Sequence, residues 1–133
     1  MSYYPLNTIP DYFGIDDLLT EEHKLIRTSV RDWVQSFVMP KIDNAAQHHK
    51  DIPNLMKELG AIGALGPYIP VEYGGAGLDQ ISYGLIMQEL ERGDSAIRSA
   101  ASVQSSLVMF PIYTYGSEEQ KLRSEEHTSE LQS

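Results

Sequence analysis

The sequence predicts an all-α fold, an antiparallel helical bundle, and three observations carry that prediction. Apolar residues recur at steps of three and four, no stretch alternates polar and apolar as a strand does, and polar caps and prolines punctuate the periodic segments. A length of 133 residues fits one domain and is too short for a cofactor domain plus a substrate domain. The formal net charge of −9 argues against a nucleic-acid partner, which requires clustered Lys and Arg. Without cysteine, disulfides, thiolate metal sites and cysteine nucleophiles are excluded. No apolar run approaches the roughly 18 residues that a membrane span needs, so no membrane partner is expected. No Lys or Arg precedes Lys24. A basic signal or Arg-rich transit segment is therefore not read, and the expected location is cytoplasmic.

Residues 1–19 are rich in Tyr, Pro and Asp and read as an arm that packs on something else. Thr20, followed by Glu21 and Glu22, predicts a helix start. Ile26, Val30, Trp33, Val34, Phe37 and Val38 then form one apolar stripe. Pro40 lacks a donor N–H and is expected to end or kink this helix. Pro53 opens a second helical segment through Asn54, Leu55, Met56 and Leu59. The stretch from Gly66 to Gly77 holds two prolines and four glycines and must be a loop. Its Gly75-Ala76-Gly77 fragment is not a dinucleotide fingerprint, because Gln80 stands where the third glycine belongs and no βαβ pattern surrounds it.

Asp79 caps a third helix that carries Ile81, Leu85, Ile86 and Leu90 and ends near Gly93. Asp94 or Ser95 caps a fourth, whose expected buried side is Ile97, Ala100, Ala101, Val103, Leu107 and Val108, with Pro111 as its limit. Ser117 and Gln120 have the spacing of a capping box and announce a further helix. The helical domain is thus expected over 20–122. The last stretch, 123–133, is polar and aperiodic, and it matches letter for letter the translation of a common sequencing-library adapter. It is expected to be a non-native tail outside the fold, which also removes His127 from consideration.

Chemistry-bearing residues are few. His48 and His49 are adjacent and diverge on a helix, His23 falls on the polar side of the first helix, and all three read as solvated surface. There is no G-x-S-x-G elbow and no acid pair with metal-ligand spacing, so no catalytic or metal-binding residue is assigned. Glu91, Arg98 and Ser99 stand out across the junction of the third and fourth helices. Near a helix start they adjoin unpaired N–H groups and the positive end of the dipole, and Arg adds a two-pronged carboxylate clamp. Two readings stay open: an anion site, or an ion pair from Glu91 or Asp94 to Arg98 that staples the corner.

Several runs carry a family resemblance: Glu89 to Ser95 (ELERGDS), Arg98-Ser99-Ala100, Ser102 to Met109 (SVQSSLVM) and Pro111 to Gln120 (PIYTYGSEEQ). Together, with Glu58 to Pro67 and Tyr73 to Gly77 matching more loosely, they resemble the acyl-CoA dehydrogenase family and, within it, the glutaryl-CoA dehydrogenase branch. The resemblance covers about residues 11–121. It implies a helical first domain followed by a β-domain and a C-terminal bundle, with FAD held beyond the first domain and the catalytic glutamate late in the chain. It implies an acyl-CoA substrate, an electron-transfer flavoprotein as partner, a homo-oligomeric parent, and oxidation with decarboxylation of glutaryl-CoA to crotonyl-CoA. It also places Glu91, Arg98 and Ser99 around the distal carboxylate of the glutaryl group. With the first domain alone, the expectation is a contribution to the substrate pocket, no bound FAD and no catalysis. The alternative is a stand-alone helical interaction or acyl-CoA-binding module.

Overall fold

The computed structural model describes residues 10–124, and these are helical with no strand among them. The expected all-α architecture holds. A 3-10 turn (Ile15–Leu18) leads into α1 (Glu21–Trp33), which runs without a break through a π-helical segment (Val34–Val38) into α2 (Met39–His48). Then follow α3 (Leu55–Ala61), a 3-10 turn (Val71–Tyr73), α4 (Gln80–Gly93) and α5 (Ser95–Ser102). A second π segment (Val103–Met109) continues α5 into α6 (Phe110–Tyr115), and a last helix covers 118–124. Residues 125–133 of the tail, including His127, lie outside the described residues, as do residues 1–9 of the arm.

Thr20 caps α1 as expected: its Oγ1 accepts from His23 N at 3.2 Å, and its own N–H donates to His23 Nδ1 at 3.3 Å. This is a capping box with histidine in the place usually held by Glu or Gln. The reading of His23 as solvated surface is therefore corrected, since the residue is 7% exposed. Because Nδ1 accepts, Nε2 carries the proton and donates to Asp79 Oδ2 at 2.7 Å. Asp79 Oδ1 in turn accepts from Ser82 N at 2.8 Å and caps α4. One His–Asp bond thus ties the starts of two helices together. His48 and His49 are exposed, as read from the sequence.

Of the two outcomes expected at Pro40, the end does not occur, since the helix continues to His48; Pro111, expected as a limit, is likewise carried through to Tyr115. In each case a π segment precedes the proline. Met39 N–H reaches back five residues to Val34 O, and Phe110 N–H to Ser105 O. The wider turn accommodates a ring that would otherwise press on the carbonyl four residues earlier. The second π segment also rotates the face that follows it. The inward side after Ile97 and Ala101 is Ser105 and Met109, whereas Val103, Leu107 and Val108 point outward, at 48%, 70% and 40% exposure. Their assignment to the buried side is overturned: Val103 stands about 200° from Ala101 on the helix, and the π turn, one residue longer than an α turn, puts Met109 inward in place of Val108. Ile81, in the first turn of α4, is also exposed.

The core gathers Val30, Val34 and Val38 from the first long helix, Leu59, Leu65 and Ile69 from the middle, and Ile86, Leu90, Ile97 and Met109 from the second half. Helix α1 packs on α4, and α4 on α5. Gly93 permits the close approach, since a Cβ there would lie 2.7 Å from Val34 Cγ1. Between α1 and α4 lies an ion pair that the periodicity did not reveal. Glu89, with no solvent exposure, accepts two bonds from Arg31, at 2.8 and 3.1 Å, and Arg92 Nη1 stands 3.8 Å away.

Two outcomes follow from this packing. Arg31→Met leaves the Glu89 carboxylate buried without its main partner and is expected to cost about 3 kcal/mol in chemical denaturation, the low end for a broken buried pair because Arg92 remains. The Ser82 N–H and the His23 bond hold the Asp79 carboxyl down from 3.8 to about 2. With a depressed folded-state value, its contribution is complete above 3.8 and disappears as pH falls through about 2. Asp79→Asn, which keeps a capping oxygen, is expected to flatten the loss of stability across that window when unfolding is followed by circular dichroism.

Candidate functional site

The site lies at the α4–α5 corner. Asp94 makes that corner: its backbone is extended, and its Oδ1 accepts from Ala96 N at 2.9 Å and Ile97 N at 3.1 Å. Of the two caps the sequence allowed, Asp94 is the one used, so Ser95 becomes the first residue of α5. The positive end of the α5 dipole therefore already faces a carboxylate. An incoming anion at this corner is left to the side chains.

Glu91 is in the last turn of α4 and Arg98 in the first turns of α5. Arg98 Nε donates to Glu91 Oε2 at 2.6 Å, and Ser95 Oγ donates to Glu91 Oε1. Both charged side chains are partly exposed. The Arg98 bond, and after it the Ser95 bond, lowers the Glu91 carboxyl below its ordinary value. Arg98 Nη1 lies 3.4 Å from Ser102 Oγ, which itself donates to Ser99 O at 3.1 Å. Ser99 is exposed on the same helix. The three sequence-predicted residues are thus brought together, Glu91 and Arg98 in direct contact and Ser99 beside them. The staple from Glu91 is formed, and it engages only the Nε side of the guanidinium. Nη2 makes no hydrogen bond among the described residues, so part of the guanidinium's donor set is unused within the fold.

From Ser99, exposed Val103 and Leu107 continue at steps of four, with Phe110 beyond. A half-open cation therefore stands at the head of an apolar strip. Sequence reasoning missed Ser95 and Ser102 as members of this network; the serine spacing (i, i+4 from Glu91 and from Arg98) was the available signal. Tyr68 and Tyr83 pack edge to face and meet the same helix at Ser105, Ser106 and Phe110. The Tyr68 hydroxyl donates to Ser105 O at 2.9 Å, and the Tyr83 hydroxyl bonds Ser106 Oγ at 2.9 Å. Burial raises the Tyr68 phenol above its ordinary value.

The glycine loop does not fit a phosphate or flavin cradle. The N–H groups of Gly74, Gly75 and Gly77 donate to Val71 O, Pro70 O and Ile69 O. A Cβ at Gly75 would fall 2.0 Å from the Ile69 carbonyl oxygen, so the glycine is required by the loop's own fold. Among the described residues no group of His, Cys, Asp and Glu is arranged to hold a metal, and no helix is long and apolar enough to cross a membrane.

Known proteins share this architecture. The family model for the acyl-CoA dehydrogenase N-terminal domain matches residues 20–124. Glutaryl-CoA dehydrogenase from Mycobacterium smegmatis is similar at 39% identity and a TM-score of 0.81, over 89% of this chain and 30% of that one. A structure of a glutaryl-CoA dehydrogenase from the same organism in complex with FADH2 is similar at 40% identity and a TM-score of 0.82, over 98% and 32%. The human mitochondrial short-chain specific acyl-CoA dehydrogenase is 34% identical over 103 residues, 77% of this chain and 25% of that protein. The chain thus spans about a third or less of the relatives it matches. With the family model covering most of its length and the fold shared at these identities, the chain belongs to the acyl-CoA dehydrogenase family, as an N-terminal domain.

Proposed function

We propose that this chain supplies one wall of the acyl-CoA pocket in a longer glutaryl-CoA dehydrogenase-like flavoenzyme. In this reading Arg98 receives the distal carboxylate of a glutaryl thioester. The observation that supports it is the geometry of Arg98: a guanidinium held on its Nε side by Glu91 at 2.6 Å, with its outer fork open at the head of the strip Val103–Leu107. A carboxylate takes the fork bidentately while the methylenes lie along the apolar strip. Ser99 stands beside the clamp as a further hydroxyl donor. The similarity to two glutaryl-CoA dehydrogenase structures favours the same substrate class.

What these residues do is bind and orient. Oxidation of the acyl chain requires FAD, and the glycine loop does not fit it. We assign the flavin, the catalytic base, the electron-transfer flavoprotein contact and any decarboxylation to the longer parent, and a homo-oligomer to that parent as well. The chain by itself is expected to purify colourless and without dehydrogenase activity; a stoichiometric yellow flavin would overturn that assignment.

Calorimetry tests the substrate reading directly. Glutaryl-CoA is expected to give a saturable signal that butyryl-CoA, without the second carboxylate, gives at least tenfold more weakly, a difference of roughly 1.4 kcal/mol. Arg98→Ala is expected to remove the difference between the two thioesters. Equal binding of both by the unmodified chain would reject Arg98 as the carboxylate receptor. Because the Glu91–Arg98 pair is partly exposed, Glu91→Gln is expected to leave the thermal midpoint nearly unchanged, in contrast to Arg31→Met.

A further inference from the structure

We propose that Ser95 is a positioning residue for the carboxylate clamp: its hydroxyl fixes Glu91 and, through Glu91, the orientation of the Arg98 guanidinium. The inference rests on the reading of Arg98 as the carboxylate receptor. Both oxygens of Glu91 are engaged, Oε2 by Arg98 Nε at 2.6 Å and Oε1 by Ser95 Oγ. A glutamate carboxylate turns readily about its terminal torsion, whose energy profile is broad. Held at one oxygen it is a moving acceptor; held at both, it offers Nε one fixed direction.

Ser95 is available for this because it does not cap its helix. A serine beside a helix start ordinarily turns its hydroxyl onto the backbone N–H groups of the first turn. Here Asp94 has taken Ala96 N and Ile97 N. The Ser95 hydroxyl instead bridges from the first residue of α5 to the last turn of α4. The guanidinium is planar, so fixing its Nε–H, with Ser102 Oγ 3.4 Å from Nη1, fixes the direction of its remaining N–H groups. Ser102 donates its proton to Ser99 O and so turns a lone pair toward Arg98. Without Ser95, Glu91 and Arg98 make an ordinary surface pair, and ordering them becomes a cost of binding.

The test uses the 133-residue chain and its Ser95→Ala and Ser95→Thr variants. Alanine is a good helix former and Asp94 still caps α5, so both variants are expected to fold, which the thermal midpoint checks. Without ligand, NMR of the arginine Nε–H groups is expected to show a protected Arg98 signal in the parent and in Ser95→Thr, and loss of protection in Ser95→Ala. Calorimetry with glutaryl-CoA is expected to show a roughly three- to tenfold weaker affinity for Ser95→Ala, restored in Ser95→Thr. An Arg98 Nε–H signal unchanged by Ser95→Ala overturns the proposal, whatever the ligand does. Loss of protection combined with no glutaryl-CoA binding by the parent chain supports the positioning of Arg98 and overturns its carboxylate reading, so the two failures are distinguishable.

Discussion

A carboxylate with no access to water sits between the two helices that organise this domain, and Arg31 holds it with two bonds. Charge at that depth persists only when it is paired and hydrogen-bonded. The pair therefore dictates one rotational setting of α4 against α1, because any other leaves Glu89 stranded. Residues two apart on a helix point about 200° away from one another. With Glu89 locked inward, Glu91 must face outward at the corner, where Arg98 meets it. The buried acid and the exposed acid are two ends of one constraint, one closed in the core and the other paired with Arg98 at the surface.

The exposed end has its own internal logic. Asp94 satisfies the first N–H groups of α5 and complements its dipole, so the helix terminus is not itself the anion receptor. What remains are side chains, and in the proposed reading the Arg98 guanidinium would select by planarity and direction. Glu91 compensates the Arg98 charge and aims it, and the partial exposure of both leaves room for a second acid. The ion pair that staples the corner and the proposed carboxylate contact use different sides of the guanidinium, so neither requires the other to be dismantled.

Much of this was legible in the residues. Thr20, Asp79, Asp94 and the Ser117–Gln120 box announce their helices through a chemistry that acts within one turn, and the last is formed in both directions, at 2.9 and 3.3 Å. The trio at the corner was visible because its members lie within nine positions. What escaped depends on distant partners or on a single added residue. His23 was read as surface because a Thr-x-x-His box has no strong signature and because Asp79 is 56 residues away. Glu89 and Arg31 looked like ordinary charged positions; only the packing of α1 on α4, 58 residues apart in sequence, turns them inward. A regular α-helix does not hold a proline without distortion, which is why Pro40 reads as an end or a kink and Pro111 as a limit, and nothing in composition announces a π turn.

The second π segment has a consequence for how the chain tolerates length change. Its extra residue per turn is what carries Val108 off the inward face and brings Met109 onto it, four positions after Ser105. Which apolar residue of this helix meets the core is therefore written in the count of residues rather than in their hydrophobicity. A one-residue deletion between 105 and 109 would turn this segment into a plain α turn and leave the Ser105 hydroxyl between Gly66 and Ala101. It would also take away the wide turn that seats Pro111, and set that ring against the carbonyl four residues before it.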